Sequence, residues 1–169
     1  MEHWLEGVYR DHAPELYRFL LRLTGKEADT HDALQEIFVR LARSPRVLEG
    51  VAVPRSFLFC MAHRLVIDRY RRETTRRQTE DLTAREISFS VEPALATGDA
   101  HWRQKSVTAA LEALPLEQKA VVVLKVWEEM TFAEIASVLD ISANTAASRY
   151  RYALDKLRDA LRSLHEDLP

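Results

Sequence analysis

The chain has 169 residues, 47% hydrophobic and 30% charged, with a formal net charge of −2. That length admits one ordinary domain or two small ones. No apolar run approaches the roughly 20 residues that cross a bilayer, and Met1-Glu2-His3-Trp4 lacks a basic-then-apolar leader pattern. The expectation is a cytoplasmic protein without membrane insertion. Cys60 is the single cysteine, so no internal disulfide can form, and its setting among Phe57, Leu58, Phe59 and Met61 predicts a buried, small apolar residue.

Only four glycines and six prolines occur, and alternating strand-like runs are nearly absent. An all-α fold follows. Leu5, Val8, Tyr9, Leu16, Phe19, Leu20 and Leu23 recur at three-and-four spacing, which predicts helix. Pro14 predicts a new start or a kink near residues 11–13, and Gly25 predicts the end. A second helix carries Ala33, Leu34, Ile37, Phe38 and Leu41 inward and stops before Ser44-Pro45. A third opens near Pro54, a suitable first-turn residue. It buries Phe57, Leu58, Met61, Leu65 and Ile67, then turns arginine-rich.

The overall charge conceals segregation. Residues 55–77 carry seven arginines against two acids, a balance of +5; residues 78–101 sum to −4, and residues 149–162 to +3. The apolar period also fades over the acidic stretch, where Pro93 and Gly98 interrupt it. So long a span without strong periodicity fits a flexible linker between two domains better than a loop inside one. The predicted boundaries are 1–77, a linker at 78–103, and 104–169.

Beyond the linker, Val107, Leu111 and Leu114 form one stripe, and Pro115 opens a helix with Ala120, Val121, Val123, Leu124 and Trp127 inward. Thr131 and Glu134 have capping-box spacing ahead of a short helix burying Phe132, Ile135, Ala136 and Leu139. Asp140-Ile141 makes a turn, and Ser142 caps the last helix. Two helices, a tight turn with an apolar plug at Ile141, a small residue at Ala136 and an exposed second helix are the requirements of a DNA-binding helix-turn-helix. A plain helical hairpin with a solvated last helix is the alternative, and the order cap, alanine, turn, isoleucine, cap weighs against it.

The string Leu114-Pro115, Thr131-Phe132-Ala133-Glu134-Ile135-Ala136, Leu139-Asp140-Ile141-Ser142 and Asn144-Thr145-Ala146-Ala147-Ser148-Arg149 resembles the fourth conserved region of the sigma-70 family, in its extracytoplasmic-function (ECF) group. Asp29 to Phe38 resembles the acidic motif of that family's second region, and Phe57 to Arg72 resembles the promoter-reading helix that follows it. The resemblance covers roughly residues 5–77 and 105–163.

It implies a sigma factor that binds core RNA polymerase and directs promoter recognition and transcription initiation. Asp29, Asp32, Gln35, Glu36 and Arg40 would dock on the polymerase clamp helices. Phe57, Arg64, Arg69, Arg71 and Arg72 would engage the −10 element. Ser142, Asn144, Thr145, Ser148, Arg149 and Arg151 would read the −35 element, while the second domain rests on the polymerase flap. An anti-sigma factor is a further implied partner; no cofactor and no metal are.

Six positions depart from the family's usual residues. His31 stands where a second acid is common, Phe57 for tryptophan, Arg64 for asparagine, Asp140 for glycine, and Ala146-Ala147 for a Val-Lys pair. Two other classes fit poorly. A response-regulator-like factor needs a receiver or ligand domain, and no parallel-strand pattern with acidic tips is visible. An enzyme is not expected: the six histidines are scattered, and neither a phosphate loop nor a nucleophile elbow occurs.

Overall fold

The computed structural model describes residues 2–80 and 99–166. Among these residues the chain forms α-helices, one short 3-10 turn and no strand, as the composition predicts. It divides into two compact units. One is built on α1 (Glu2–Thr24), α2 (Glu27–Arg43) and α3 (Pro54–Glu80); the other on α4 (Asp99–Glu112), α5 (Leu116–Val126), α6 (Phe132–Leu139) and α7 (Ala143–Glu166). The middle of the predicted linker lies outside the described residues. Its ends are helical, because no glycine or proline follows Pro54 to stop α3 before Glu80, and α4 already begins at Asp99.

In the first unit, α1 runs through Pro14 without restarting. The proline forgoes one hydrogen bond and crowds the Arg10 carbonyl. Pro14 itself is exposed, so water can serve that carbonyl, while Ala13, Leu16, Phe19 and Leu20 are buried around it and hold the helix together. Gly25 ends α1 with φ +68 and donates its N–H to the Leu21 carbonyl at 2.9 Å. That is a left-handed helix cap, a conformation in which a Cβ is penalised. Glu27 and Asp29 in the first turn of α2, and Arg40 and Arg43 in its last, complement the helix dipole. All five residues expected inward on α2 are buried.

On α3 the buried stripe is Leu58, Phe59, Ala62, Leu65 and Val66. Phe57, Met61 and Ile67, expected inward, are only half-buried, as is Cys60. The run from Phe57 to Met61 is apolar on every side, so periodicity alone does not fix which stripe faces α1 and α2. Phe59 meets Phe19 edge-to-face with centroids 5.0 Å apart. The Arg55 guanidinium lies 5.0 Å from the Phe59 centroid, and its Nε donates to Glu15 Oε2 at 2.8 Å.

In the second unit, α7 packs against α4 and α5. Leu114, Val122 and Ala153 form a buried cluster, flanked by Leu111, Tyr150 and Leu157. Residues 119–124 of α5 are all buried. Burial pushes the Lys119 ammonium pKa down, and burial likewise raises that of the Glu112 carboxyl. Val107 and Trp127, expected inward, are 39% and 38% exposed. The first gives way to Ser106 and Ala110, which present the buried side of α4. The second caps the C-terminal end of α5, past the buried run.

The turn between α6 and α7 closes as a Schellman motif. The Ile141 N–H reaches the Ala136 carbonyl at 3.0 Å, and Asp140 takes the left-handed position at φ +57. Aspartate tolerates this region better than most residues, but still at a cost relative to glycine. Asp140→Gly is expected to raise the stability of the second unit by about 0.5–1 kcal/mol. Thermal or urea denaturation measures this, and a destabilised variant contradicts the account.

Candidate nucleic-acid interface

Both helices of the α6–turn–α7 hairpin are capped at their N-termini. At α6, the Thr131 N–H donates to Glu134 Oε2 at 2.7 Å and the Glu134 N–H donates to Thr131 Oγ1 at 3.3 Å, a reciprocal capping box. Lys125 Nζ donates to the Met130 carbonyl at 3.0 Å and lies 5.0 Å from the Phe132 ring centroid, fixing the entry to α6. At α7, Ser142 Oγ accepts from the Thr145 N–H at 3.0 Å. Ser142 and Thr145 are thus bound to each other at the helix start, with hydroxyls 2.8 Å apart.

Ala146 and Ala153 are fully buried, and Tyr150 packs against the cluster that holds Ala153. They define the inner side of α7. Asn144, Thr145 and Arg151 are exposed, and Ser148 is half-buried on the same outer side at helical spacing. Ala146 is therefore packing and not part of the polar face. Among the predicted residues, Arg149 is engaged elsewhere: its Nη2 lies 2.6 Å from Glu117 Oε2 in the first turn of α5. That pair ties the outer helix to the body of its unit. The sequence reading passed over Tyr152, which is 57% exposed, seven residues after Thr145 and with the Arg151 guanidinium 5.7 Å from its ring centroid. The seven-residue spacing was the available signal. A flat aromatic beside a guanidinium offers apolar and charged contact together.

The first unit presents two further polar surfaces. On α2, Asp29, Asp32, Gln35, Glu36 and Arg40 lie on the side away from Ala33, Ile37 and Leu41. Four of them are exposed and Glu36 is half-buried. The Arg40 guanidinium pairs with Glu36 one turn away. His31 is exposed beside them, its ring 5.1 Å from that of Tyr17.

On α3, Arg64, Arg71 and Arg72 are exposed, and Phe57 is half-buried near the start of the helix. Arg69 differs. Its Nη2 donates to Glu36 Oε2 at 2.9 Å and its Nη1 to the Asp29 carbonyl at 3.2 Å. The two residues were assigned to different surfaces from sequence, and the fold brings them together.

The Arg69 hydrogen bond, followed by that from Arg40, outweighs partial burial and holds the Glu36 carboxyl below the ordinary carboxylate range. A lowered carboxylate pKa stabilises the fold above the ordinary glutamate value, about 4.3. That contribution disappears as pH falls through the folded-state pKa. The melting difference between the native chain and Glu36→Gln is therefore expected to be present at pH 7 and to shrink as the pH falls below the ordinary glutamate value and through the lowered folded-state one. A difference that persists unchanged into acid contradicts it. No group of three or more metal-ligating side chains occurs among the described residues, and no described helix is long and apolar enough to cross a membrane.

Comparison with known proteins bears on both units. The family described as Sigma-70 region 2 matches residues 8–76, and that described as Sigma-70, region 4 matches residues 104–157. The chain is 33% identical over 170 residues to the ECF RNA polymerase sigma factor SigL of Mycobacterium tuberculosis strain H37Rv, covering 95% of this chain and 90% of that one. It is 26% identical to the ECF RNA polymerase sigma factor SigX of Bacillus subtilis, covering 99% and 89%. In fold it is similar to the sigma factor RpoE of Bartonella quintana, solved with the anti-sigma factor NepR: TM-score 0.79, 18% identity, 96% of this chain and 98% of that one. It is likewise similar to CnrH solved with the cytosolic domain of CnrY, at TM-score 0.70, 20% identity, and 96% and 90% coverage.

Proposed function

The chain belongs to the sigma-70 family of RNA polymerase sigma factors, in its ECF group, and from that membership we propose how its surfaces divide the work. It acts in promoter recognition and transcription initiation, as a DNA-binding transcription regulator. Residues 1–77 form the unit that docks on core polymerase and engages the −10 element. Residues 104–169 form the unit that reads the −35 element and rests on the flap.

The α2 stripe of Asp29, Asp32, Gln35, Glu36 and Arg40 meets the clamp helices. Its acids suit a basic partner, and its opposite side is already committed to the core. Arg64, Arg71 and Arg72 lie along the DNA backbone, and Phe57 contributes an apolar surface against which an unstacked base can rest. Ser142, Asn144, Thr145, Ser148 and Arg151 enter the major groove, where small and hydrogen-bonding side chains suit base edges. Arg149 reaches a phosphate while braced by Glu117. Phosphate contacts hold register and base contacts specify.

The observation that carries this reading is the capped start of α7. Its exposed polar face stands opposite the fully buried Ala146 and Ala153, so groove entry would need no unfolding of the unit. Initiation chemistry belongs to the polymerase, and the sigma chain itself is not an enzyme. Its place of action is the cytoplasm, where polymerase and promoter meet. An anti-sigma factor that separates or clamps the two units is part of the same reading; RpoE was solved with an anti-sigma factor and CnrH with the cytosolic domain of CnrY.

Run-off transcription with purified core polymerase on a genomic promoter library tests the proposal. Core-dependent initiation at a discrete set of promoters is expected, with little specific binding by the free chain. Tight operator binding without core, or no initiation on any template, overturns it.

A further inference from the structure

Arg69 is out of phase with Arg64 and Arg71 of α3. It lies seven residues after the fully buried Ala62 and four after the buried Leu65, hence on nearly the same side of the helix. Arg64 and Arg71, also seven apart, are exposed on another side. The Arg69 guanidinium grips α2 at two points, the Glu36 carboxylate at 2.9 Å and the Asp29 carbonyl at 3.2 Å. Glu36 is held from the other side as well, because its second oxygen takes Arg40. The side chains of Arg69 and Glu36 are 33% and 36% exposed, so the contact is partly shielded from water.

An isolated pair at such exposure contributes little to stability. Its geometric effect is larger. A planar guanidinium fixed at two sites seven residues apart on α2 sets both the rotation and the axial position of α3 against it. The α2 residues it grips belong to the stripe assigned to the polymerase, and α3 carries the arginines assigned to DNA.

We propose that Arg69 is a positioning residue and not a DNA contact: it braces α3 on α2, so that docking of the α2 stripe on polymerase places Arg64, Arg71 and Arg72 on the promoter. This rests on the sigma-factor reading above. Under it, the Glu36 carboxylate serves promoter opening although it never touches DNA, and Arg69 serves it without neutralising a phosphate.

The test uses holoenzyme assembled from core polymerase and full chains carrying Arg69→Ala, Arg69→Lys, Glu36→Gln, the Ala/Gln pair, or the exchange Glu36→Arg with Arg69→Glu. Open-complex formation is measured at matched core occupancy and over a salt series. Arg69→Ala and Glu36→Gln are each expected to reduce opening by about five- to tenfold, and the pair no further, as for two residues acting through one contact. Arg69→Lys, which keeps the charge and loses the fork, falls between. The exchange recovers at least half of the lost activity. Plots of log affinity against log salt keep the native slope.

A direct phosphate contact predicts otherwise. Arg69→Ala would then shallow the slope by about 0.7–0.9, Glu36→Gln would leave opening unchanged, and the exchange would be worse than either single variant. That pattern overturns the inference. Should Arg69→Ala fail to fold, Glu36→Gln and the exchange still decide it. Failure of the sigma-factor reading looks different, because the unaltered chain would then give no core-dependent initiation.

Discussion

Phe59→Ala is expected to destabilise the first unit by about 3–5 kcal/mol and to abolish core-dependent initiation at ordinary growth temperatures. Phe59 is fully buried at the crossing of α1 and α3, edge-on to Phe19. Truncation removes the transfer energy of the ring and leaves a cavity between helices that cannot collapse freely. It also deletes the aromatic pair, worth about 0.5–1.5 kcal/mol beyond burial, and the ring under the Arg55 guanidinium. A unit of this size has roughly 4–12 kcal/mol in total, so the loss is a large share of it. Hydrogen exchange separates the outcomes: amides of residues 58–70 should lose protection while those of residues 144–156 keep theirs. Tyr70→Ala on the same helix is the control, since Tyr70 is 56% exposed and its loss should cost little. A Phe59→Ala loss under about 1.5 kcal/mol would mean that the three-helix packing is misassigned.

How far the sequence carries can be judged from particular residues. The caps and the turn of the α6–turn–α7 hairpin were legible because their signals are local, whereas Phe132 and Ala136, expected inward, are half-buried and the buried Val138 was passed over. Thr131 and Glu134 form the capping box their spacing implies, Asp140 takes the left-handed turn, and Ser142 caps α7. The α2 stripe was legible for the same reason: one period in one helix decides it. The buried side of α3 was not, because Phe57 to Met61 are apolar in every direction and only α1 and α2 select Leu58 and Phe59 from them. Of the two outcomes expected at Pro14, a new helix start does not occur, because burial of Ala13, Leu16, Phe19 and Leu20 keeps α1 continuous. The engagement of Arg69 with Glu36, 33 positions apart, and of Arg149 with Glu117, has no local signal at all. Counting arginines along α3 gave one basic surface; the fold engages Arg69 with α2 and leaves Arg64, Arg71 and Arg72 exposed.

That division leads to the second large effect. Arg71→Ala with Arg72→Ala is expected to lower promoter opening by roughly a hundredfold or more while leaving affinity for core polymerase within about twofold. Both side chains are exposed on the C-terminal half of α3. A hydrogen bond to a charged group contributes about 1.5–3 kcal/mol where it forms, and tenfold is about 1.4 kcal/mol. Two such contacts to the backbone of an unpaired strand therefore account for a loss of this size. The salt dependence carries the sharper signature. Each phosphate on single-stranded DNA contributes about 0.7 to the slope of log affinity against log salt, so the double variant should be shallower by about 1.4. The change should be the same on every promoter, since phosphate contacts carry no sequence information. Arg69→Ala should leave that slope alone, so the two experiments on one helix separate a residue that touches DNA from one that aims its neighbours. If the double variant keeps the native slope and opens promoters normally, the exposed face of α3 is not the DNA-binding one, and the −10 contacts must lie elsewhere on the first unit.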